Sequence, residues 1–320
     1  MKPGAKLGLL LGLWLLALAA GTLLGGQSLS LGSALAGEPT AAAILWQLRL
    51  PRALLALLAG GVLALSGLSF QSVFRNPLAE PYTLGVAGGA ALGAVLALVA
   101  FPQAALVGVG IASFLGALAA TAVVVGLSFR REGLETSTLL LAGVAISVSS
   151  SALILFLEFF ADPHRTFQIV RWLMGGLAVV GYREVLWLAP FALAELLLLL
   201  ALRWELNLLL TGEETAAARG VDVGRTRLLM LAGVSLAVGA VVAVAGPIGF
   251  VGLIVPNALR SRLGPDHLHL IPASLLAGGA FLALCDLGAR TLLAPAELPV
   301  GVLTAAAGGP FFLWLLLRRR

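Results

Sequence analysis

The 320-residue sequence predicts an all-α polytopic membrane protein of about ten transmembrane helices, some of them short and broken. Three observations carry that prediction. Hydrophobic residues make up 60% of the chain and charged residues only 11%, against roughly 25% charged in an average soluble domain. Apolar runs succeed one another along the whole length with short connections between them. The basic residues gather at the ends of those runs. A chain this apolar cannot cover a water-facing surface, so the bilayer is its solvent. A span with its connection takes roughly 30 residues, which makes residues 1–320 one membrane domain.

The apolar runs fall near 7–26, 52–73, 84–101, 104–129, 138–160, 185–203, 228–246, 250–261, 272–292 and 300–317. The first follows Lys2 and Lys6 and precedes Ala34-Leu35-Ala36, a pattern that imitates a cleaved secretory leader. The hydrophobic core of such a leader is usually about 7–15 residues, and the run from Leu7 to Leu24 is longer. It reads as a retained first helix with its amino terminus in the cytoplasm. The eighth run is too short to cross alone. Gly246-Pro247-Ile248-Gly249 just before it marks a broken helix, tolerated in a membrane where protein or a cavity covers the backbone. The 39 glycines, many inside apolar runs such as Gly60-Gly61 and Gly85 to Ala90, let helix backbones approach closely.

Charge placement supports the same topology. The net charge of +5 and pI near 10.3 come from 18 arginines and two lysines. With the amino terminus inside, Lys2, Lys6, Arg75, Arg130, Arg131, Arg203, Arg219, Arg225, Arg227, Arg260, Arg262 and Arg318 to Arg320 face the cytoplasm. Arg49, Arg52, Arg165, Arg171, Arg183 and Arg290 face outward. That asymmetry follows the positive-inside rule and places both termini in the cytoplasm. The basic character therefore anchors the chain against membrane lipid, and nucleic acid is excluded as a partner. The single cysteine, Cys285, lies in an apolar run, where it packs and makes no intrachain disulfide.

Little chemistry remains inside the spans. There is no G-x-x-x-x-G-K-[ST] segment and no lysine beyond position 6, so no nucleotide binds here by a phosphate loop. His164, His267 and His269 read as loop residues without the cysteine and histidine neighbours of a metal site. Glu195 and Asp286 lie well within spans and Glu158 near an end. Intramembrane carboxylates are costly and mark ion pathways in carriers, so Glu195 and Asp286 keep open a second reading, an ion-coupled secondary transporter. Asp286 stands four residues before Arg290, close enough to pair on a helix.

The most informative connection runs from Thr211 to Asp222 on the cytoplasmic side, within a loop at about 204–227. Glu213 and Ala216 to Ala218 favour a short helix, and Gly220 ends it. A short helix with small residues outward fits a groove on a partner; an ordinary connecting loop has the same composition.

A series of motifs then resembles a known family. Arg49-Leu50-Pro51-Arg52 leads to Ser66-Gly67, Gln71, Arg75-Asn76-Pro77-Leu78-Ala79-Glu80-Pro81 and Leu84-Gly85-Val86. Leu140-Leu141-Ala142-Gly143-Val144 and Trp172-Leu173-Met174-Gly175-Gly176 follow. Gly249 to Pro256, Glu297 to Val302 and Gly309-Pro310-Phe311-Phe312 complete the order. From about residue 49 to the carboxyl end this resembles the FecCD/BtuC family of permease subunits, ABC importers for iron-siderophore complexes, haem and cobalamin.

That resemblance implies the type II ABC importer fold, a second permease copy or paralogue, two ATPase subunits and an extracytoplasmic substrate-binding protein. The chain itself is then no enzyme and holds no cofactor, ATP and magnesium belonging to the ATPase subunits. Gly212, Glu213, Glu214, Ala216, Ala217 and Gly220 fall on the family's ATPase-docking loop. Thr136 and Ser137, after Leu134 and Glu135, fall on its cytoplasmic gate. Arg49, Arg52 and Arg290, cations on the outer face without an evident local partner, fall where the binding protein docks; headgroup contact or local pairing is the other reading. Two departures stand out. Asn257 occupies a position where the family commonly has histidine, and Tyr82 one that is often small.

Overall fold

The computed structural model describes residues 3–25, 31–101, 106–129 and 136–317. Lys2, Arg130, Arg131, Leu134, Glu135 and Arg318 to Arg320 lie outside the described residues. Every one of the ten apolar runs forms a helix: α1 (Pro3–Leu23), α4 (Leu50–Val73), α5 (Val86–Ala100), α6 (Leu106–Phe129), α7 (Thr136–Phe159), α9 (Arg183–Ala201), α12 (Val223–Ala245), α13 (Val251–Leu263), α14 (His267–Thr291) and α15 (Val300–Leu317). Among the described residues, seven helices are long and apolar enough to cross a membrane, and α5 and α15 are shorter apolar helices. Among the described residues, five further α-helices lie between them, α2 (Leu31–Leu35), α3 (Pro39–Ala43), α8 (Pro163–Leu173), α10 (Arg203–Leu209) and α11 (Glu213–Ala218), with a π-helix at Ile44–Arg49 and a 3-10 helix at Pro81–Leu84.

Helix α4 is the axis of the bundle. It is buried along nearly its whole length and packs against α1, α9, α12, α13 and α14. Lipid offers no hydrophobic drive for helices to associate, so close backbone contact does that work. Gly67 on α4 rests directly against the backbone of Gly252 on α13, where a Cβ has no room. Around this axis, apolar side chains such as Leu141, Phe156 and Phe159 of α7 point outward, as a lipid-facing or subunit-facing surface requires.

The break after α12 forms where the sequence places it. Gly246 takes a positive φ of 66° and Phe250 one of 70°. The freed carbonyl of Ala245 is taken by the Gly176 amide at 2.8 Å, so the irregular backbone is satisfied inside protein. The 13 residues of α13 rise about 20 Å, short of a hydrocarbon core of roughly 30 Å.

One local expectation is corrected. His164, His267 and His269 are helical, in the first turns of α8 and α14. The reason is capping: Asp162 accepts from the amides of His164 and Arg165, and Asp266 from that of Leu268, which starts α8 at Pro163 and α14 at His267.

The groups expected on one side of the membrane meet one another. Lys6 Nζ donates to the Arg262 carbonyl at 2.5 Å, and Asn207 Nδ2 donates to Asp266 Oδ1 at 3.0 Å; all four residues were assigned to, or beside, the cytoplasmic face. At the opposite end Arg165 Nη1 donates to the Val99 carbonyl at 3.0 Å and the Gly181 amide to that of Gln47 at 2.7 Å.

Candidate functional site

The first candidate lies in the connection between α9 and α12. Gly212 opens α11 with φ 128° and ψ 149°, and Gly220 closes it with φ 86°. Side chains rarely adopt either conformation, so the two glycines delimit the six-residue helix. Between them Ala216 is fully buried, and its carbonyl accepts from the Val221 amide at 3.1 Å. Glu214, Thr215, Ala217 and Ala218 face solvent. One small residue anchors the helix and the rest of its surface is small or polar and free to meet a partner. Beside it a cleft of about 480 Å³ is lined by Trp204, Glu205, Arg219, Asp222 and Arg225 among others.

The gate candidates open α7. Thr136 is half-buried and Ser137 exposed. Arg227, near the start of α12, connects this point with α11: its Nη2 donates to Thr136 Oγ1 at 2.9 Å and also to Glu213 Oε1, forming an ion pair. Arg227 is only 5% exposed, whereas the Glu213 side chain is 44% exposed. Sequence reading had placed Arg227 only among the cytoplasmic cations. The available signal was helical phase, because Met230, Leu231 and Val234 follow it by three, four and seven residues on the buried face of α12.

At the other end the three outward arginines converge. Arg52 pairs with Asp286 at 2.9 Å and with Glu297 at 2.8 Å. Arg290 pairs with Asp286 at 3.1 Å, as its spacing predicts. Its Nη2 also donates to the Gly21 carbonyl, and Arg49 Nη1 to the Leu23 carbonyl, each at 2.9 Å. These carbonyls lie in the last turn of α1, where no intrahelical amide is available. Arg49 and Arg52, read as lacking an evident local partner, thus have local partners, Arg290 makes the pair its spacing allows, and Arg49 and Arg290 are buried. Arg52, bonded to a half-exposed Glu297, stands nearest the outer surface of the network.

The intramembrane carboxylates differ. Asp286, 1% exposed, is held by two guanidiniums. Glu195, 2% exposed, accepts from Ser66 Oγ at 2.5 Å. Asn257 Nδ2 donates to the Pro77 carbonyl at 2.8 Å, tying α13 to the loop after α4. Among the described residues no cluster of three or more histidines, cysteines or carboxylates could hold a metal ion.

A bundle of long apolar helices, with a central buried helix, a broken helix pair and a small helical projection at one end, defines a multi-pass helical membrane protein. The profile of the FecCD transport family matches residues 9–318. A hemin transport system permease protein of Yersinia pestis is 42% identical over 277 residues, 85% of this chain and 83% of that one. A vitamin B12 import system permease protein of Shigella boydii is 41% identical over 312 residues, 96% of this chain and 93% of that one. A solved inward-facing metal-chelate type ABC transporter superimposes with a TM-score of 0.89 at 34% identity, over 98% of this chain and 99% of that one. The chain belongs to the FecCD transport family, and it is a permease of the ABC type.

Proposed function

We propose that this chain is the membrane subunit of an importer for a bulky chelate, an iron-siderophore complex, haem or cobalamin, at the cytoplasmic membrane of a bacterium or archaeon. Two copies enclose the path at their interface. Two ATPase subunits, which hold ATP and magnesium, engage α11 through Gly212, Glu213, Glu214, Ala216, Ala217 and Gly220. A binding protein outside delivers the cargo near Arg49, Arg52 and Arg290. Both termini lie in the cytoplasm.

The observation that carries this reading is the presentation of α11: an anchored helix between two glycine turns, with its small and polar face bare. The names of the two curated relatives support the cargo class. Thr136 and Ser137 close the inner end of the path with small hydroxylated side chains, and the exposed apolar faces of α7 and α15 are the surfaces for the second copy and for lipid. The barrier then moves between outward-open and inward-open states whose balance ATP and loaded binding protein shift.

The second reading, an ion-coupled carrier, has less support. Asp286 is committed to Arg52 and Arg290, which leaves Glu195 as its remaining carboxylate. Reconstitution separates the two. Proteoliposomes with the chain, its ATPase and a loaded binding protein are expected to accumulate hemin, cobalamin or a ferric siderophore only when ATP is supplied. Uptake by the chain alone, driven by an ion gradient and abolished by Glu195→Gln, would overturn the ABC reading.

A further inference from the structure

The geometry points to Arg227 as the residue that links the ATPase-docking helix to the cytoplasmic gate. It touches neither nucleotide nor cargo and so acts as a positioning residue. The inference rests on the reading of α11 as the docking helix and Thr136 as part of the gate.

The structure supplies three supports. First, a single nitrogen, Nη2 of Arg227, donates to both Glu213 Oε1 and Thr136 Oγ1, so a shift of either acceptor is felt at the bond to the other. Second, those acceptors sit on elements with different neighbours: α11 packs against α10 and α12, whereas α7 packs against α5, α6 and α8. Arg227 on α12 lies where the two groups meet. Third, burial is uneven. Arg227 is enclosed while Glu213 is half-exposed at the surface that meets a partner. A buried charged donor holds its acceptors more firmly than an exposed one, because water does not compete for them.

Movement of α11 therefore acts on Arg227 first. The charge-assisted bond to Glu213 is the stronger of the two, so Arg227 follows Glu213 and releases the Thr136 hydroxyl. The start of α7 then loses its tether to α12. Lysine cannot replace arginine here, because its shorter stem ends before the position of Nη2, where both acceptors are reached.

The test uses the whole transporter, permease with ATPase subunits and binding protein, in proteoliposomes. Uptake of radiolabelled cobalamin or hemin, whichever the wild-type complex takes up, is measured per ATP hydrolysed. A spin label at Ser137 in each copy reports the gate distance with and without ATP. Arg227→Lys and Thr136→Val are each expected to lower uptake per ATP about tenfold, the equivalent of one lost hydrogen bond to a charged group. In both, the ATP-dependent change in gate distance should shrink. Because both break one link, the double variant should lose no more than the more affected single one. Thr136→Ser, which keeps the hydroxyl, should retain the wild-type ratio. A wild-type ratio and gate response in Arg227→Lys and Thr136→Val, with the complex assembled, would overturn the link alone. If the wild-type chain fails to retain the ATPase subunits on purification, the docking reading falls and the link with it.

Discussion

Arginine does opposite work at the two ends of this bundle. At the outer end Arg49, Arg52 and Arg290 bond to carbonyls of α1, to Asp286 of α14 and to Glu297 in the connection after it, and α1, α4 and α14 are packed on one another. There the cations lock a frame. At the inner end Arg227 reaches from α12 to two elements with different neighbours, one of them presenting a half-exposed carboxylate. The same side-chain type that ties one packed unit together at one end bridges separate elements at the other. What decides between the roles is whether its partners belong to one packed unit or to two.

The largest expected effect is at the centre of the frame. Asp286→Ala leaves the buried Arg290 and the largely buried Arg52 without their shared carboxylate, and removing one partner from a buried ion pair costs about 3–5 kcal/mol. Thermal unfolding of the purified chain in detergent measures it. If Asp286→Ala unfolds like the unaltered chain, the outer network does not lock the fold and the contrast between the ends collapses.

A smaller loss is expected within the axis that both ends share. Gly67→Ala puts a Cβ against the Gly252 backbone, and overpacking of this kind typically costs about 1–3 kcal/mol. The same unfolding measurement applies, and an unchanged midpoint would show that α4 and α13 can separate without loss.

At the inner end the change should fall on coupling. Gly220→Val forces a β-branched residue into a positive φ with open space around it. The local strain is on the order of 1 kcal/mol. The complex should still assemble while hydrolysis per transported molecule rises several-fold; normal coupling would count against α11 as the docking helix.

Arg52→Ala sharpens the outer comparison. Asp286 keeps Arg290, so the frame should lose less than in Asp286→Ala. Affinity for the binding protein should drop about tenfold or more, as for an interfacial charge pair. An unchanged affinity in a titration would restrict Arg52 to a structural role.

The smallest effect concerns the cap of α14. The Leu268 amide, followed by the Asn207 side chain, holds the Asp266 carboxyl below the usual carboxylate range. A depressed folded value means the stabilisation is complete above the unfolded pKa of about 4 and is lost as pH falls through the folded value. Unfolding midpoints of the unaltered chain and Asp266→Asn should therefore differ at pH 6 and converge in stronger acid. A constant difference would remove the carboxylate from the account.

Much of the fold was legible in the amino-acid order because lipid is an undemanding solvent to read against. Apolar length sets where helices form, and the break at Gly246 to Gly249 announces itself by composition. The short helix at Glu213 and its stop at Gly220 follow from local propensity and backbone freedom. The histidines read as loop residues because an aspartate cap one to three residues earlier is a subtler cue than polarity. The partners of Arg49 and Arg52 were not legible because their acceptors, a carbonyl of α1 and a carboxylate more than two hundred residues from Arg52, leave no local trace. The Asp286–Arg290 pair, four residues apart, was legible for the opposite reason.

By itself, then, the sequence determined a polytopic helical membrane chain, the positions of its helices and the segments that project from them, because those depend on hydrophobic length and local backbone preference. The tertiary structure alone decided which cations are locked and which bridge. Those outcomes depend on distant groups brought within hydrogen-bond range, and a buried guanidinium accepts whatever acceptors the packing of other helices delivers.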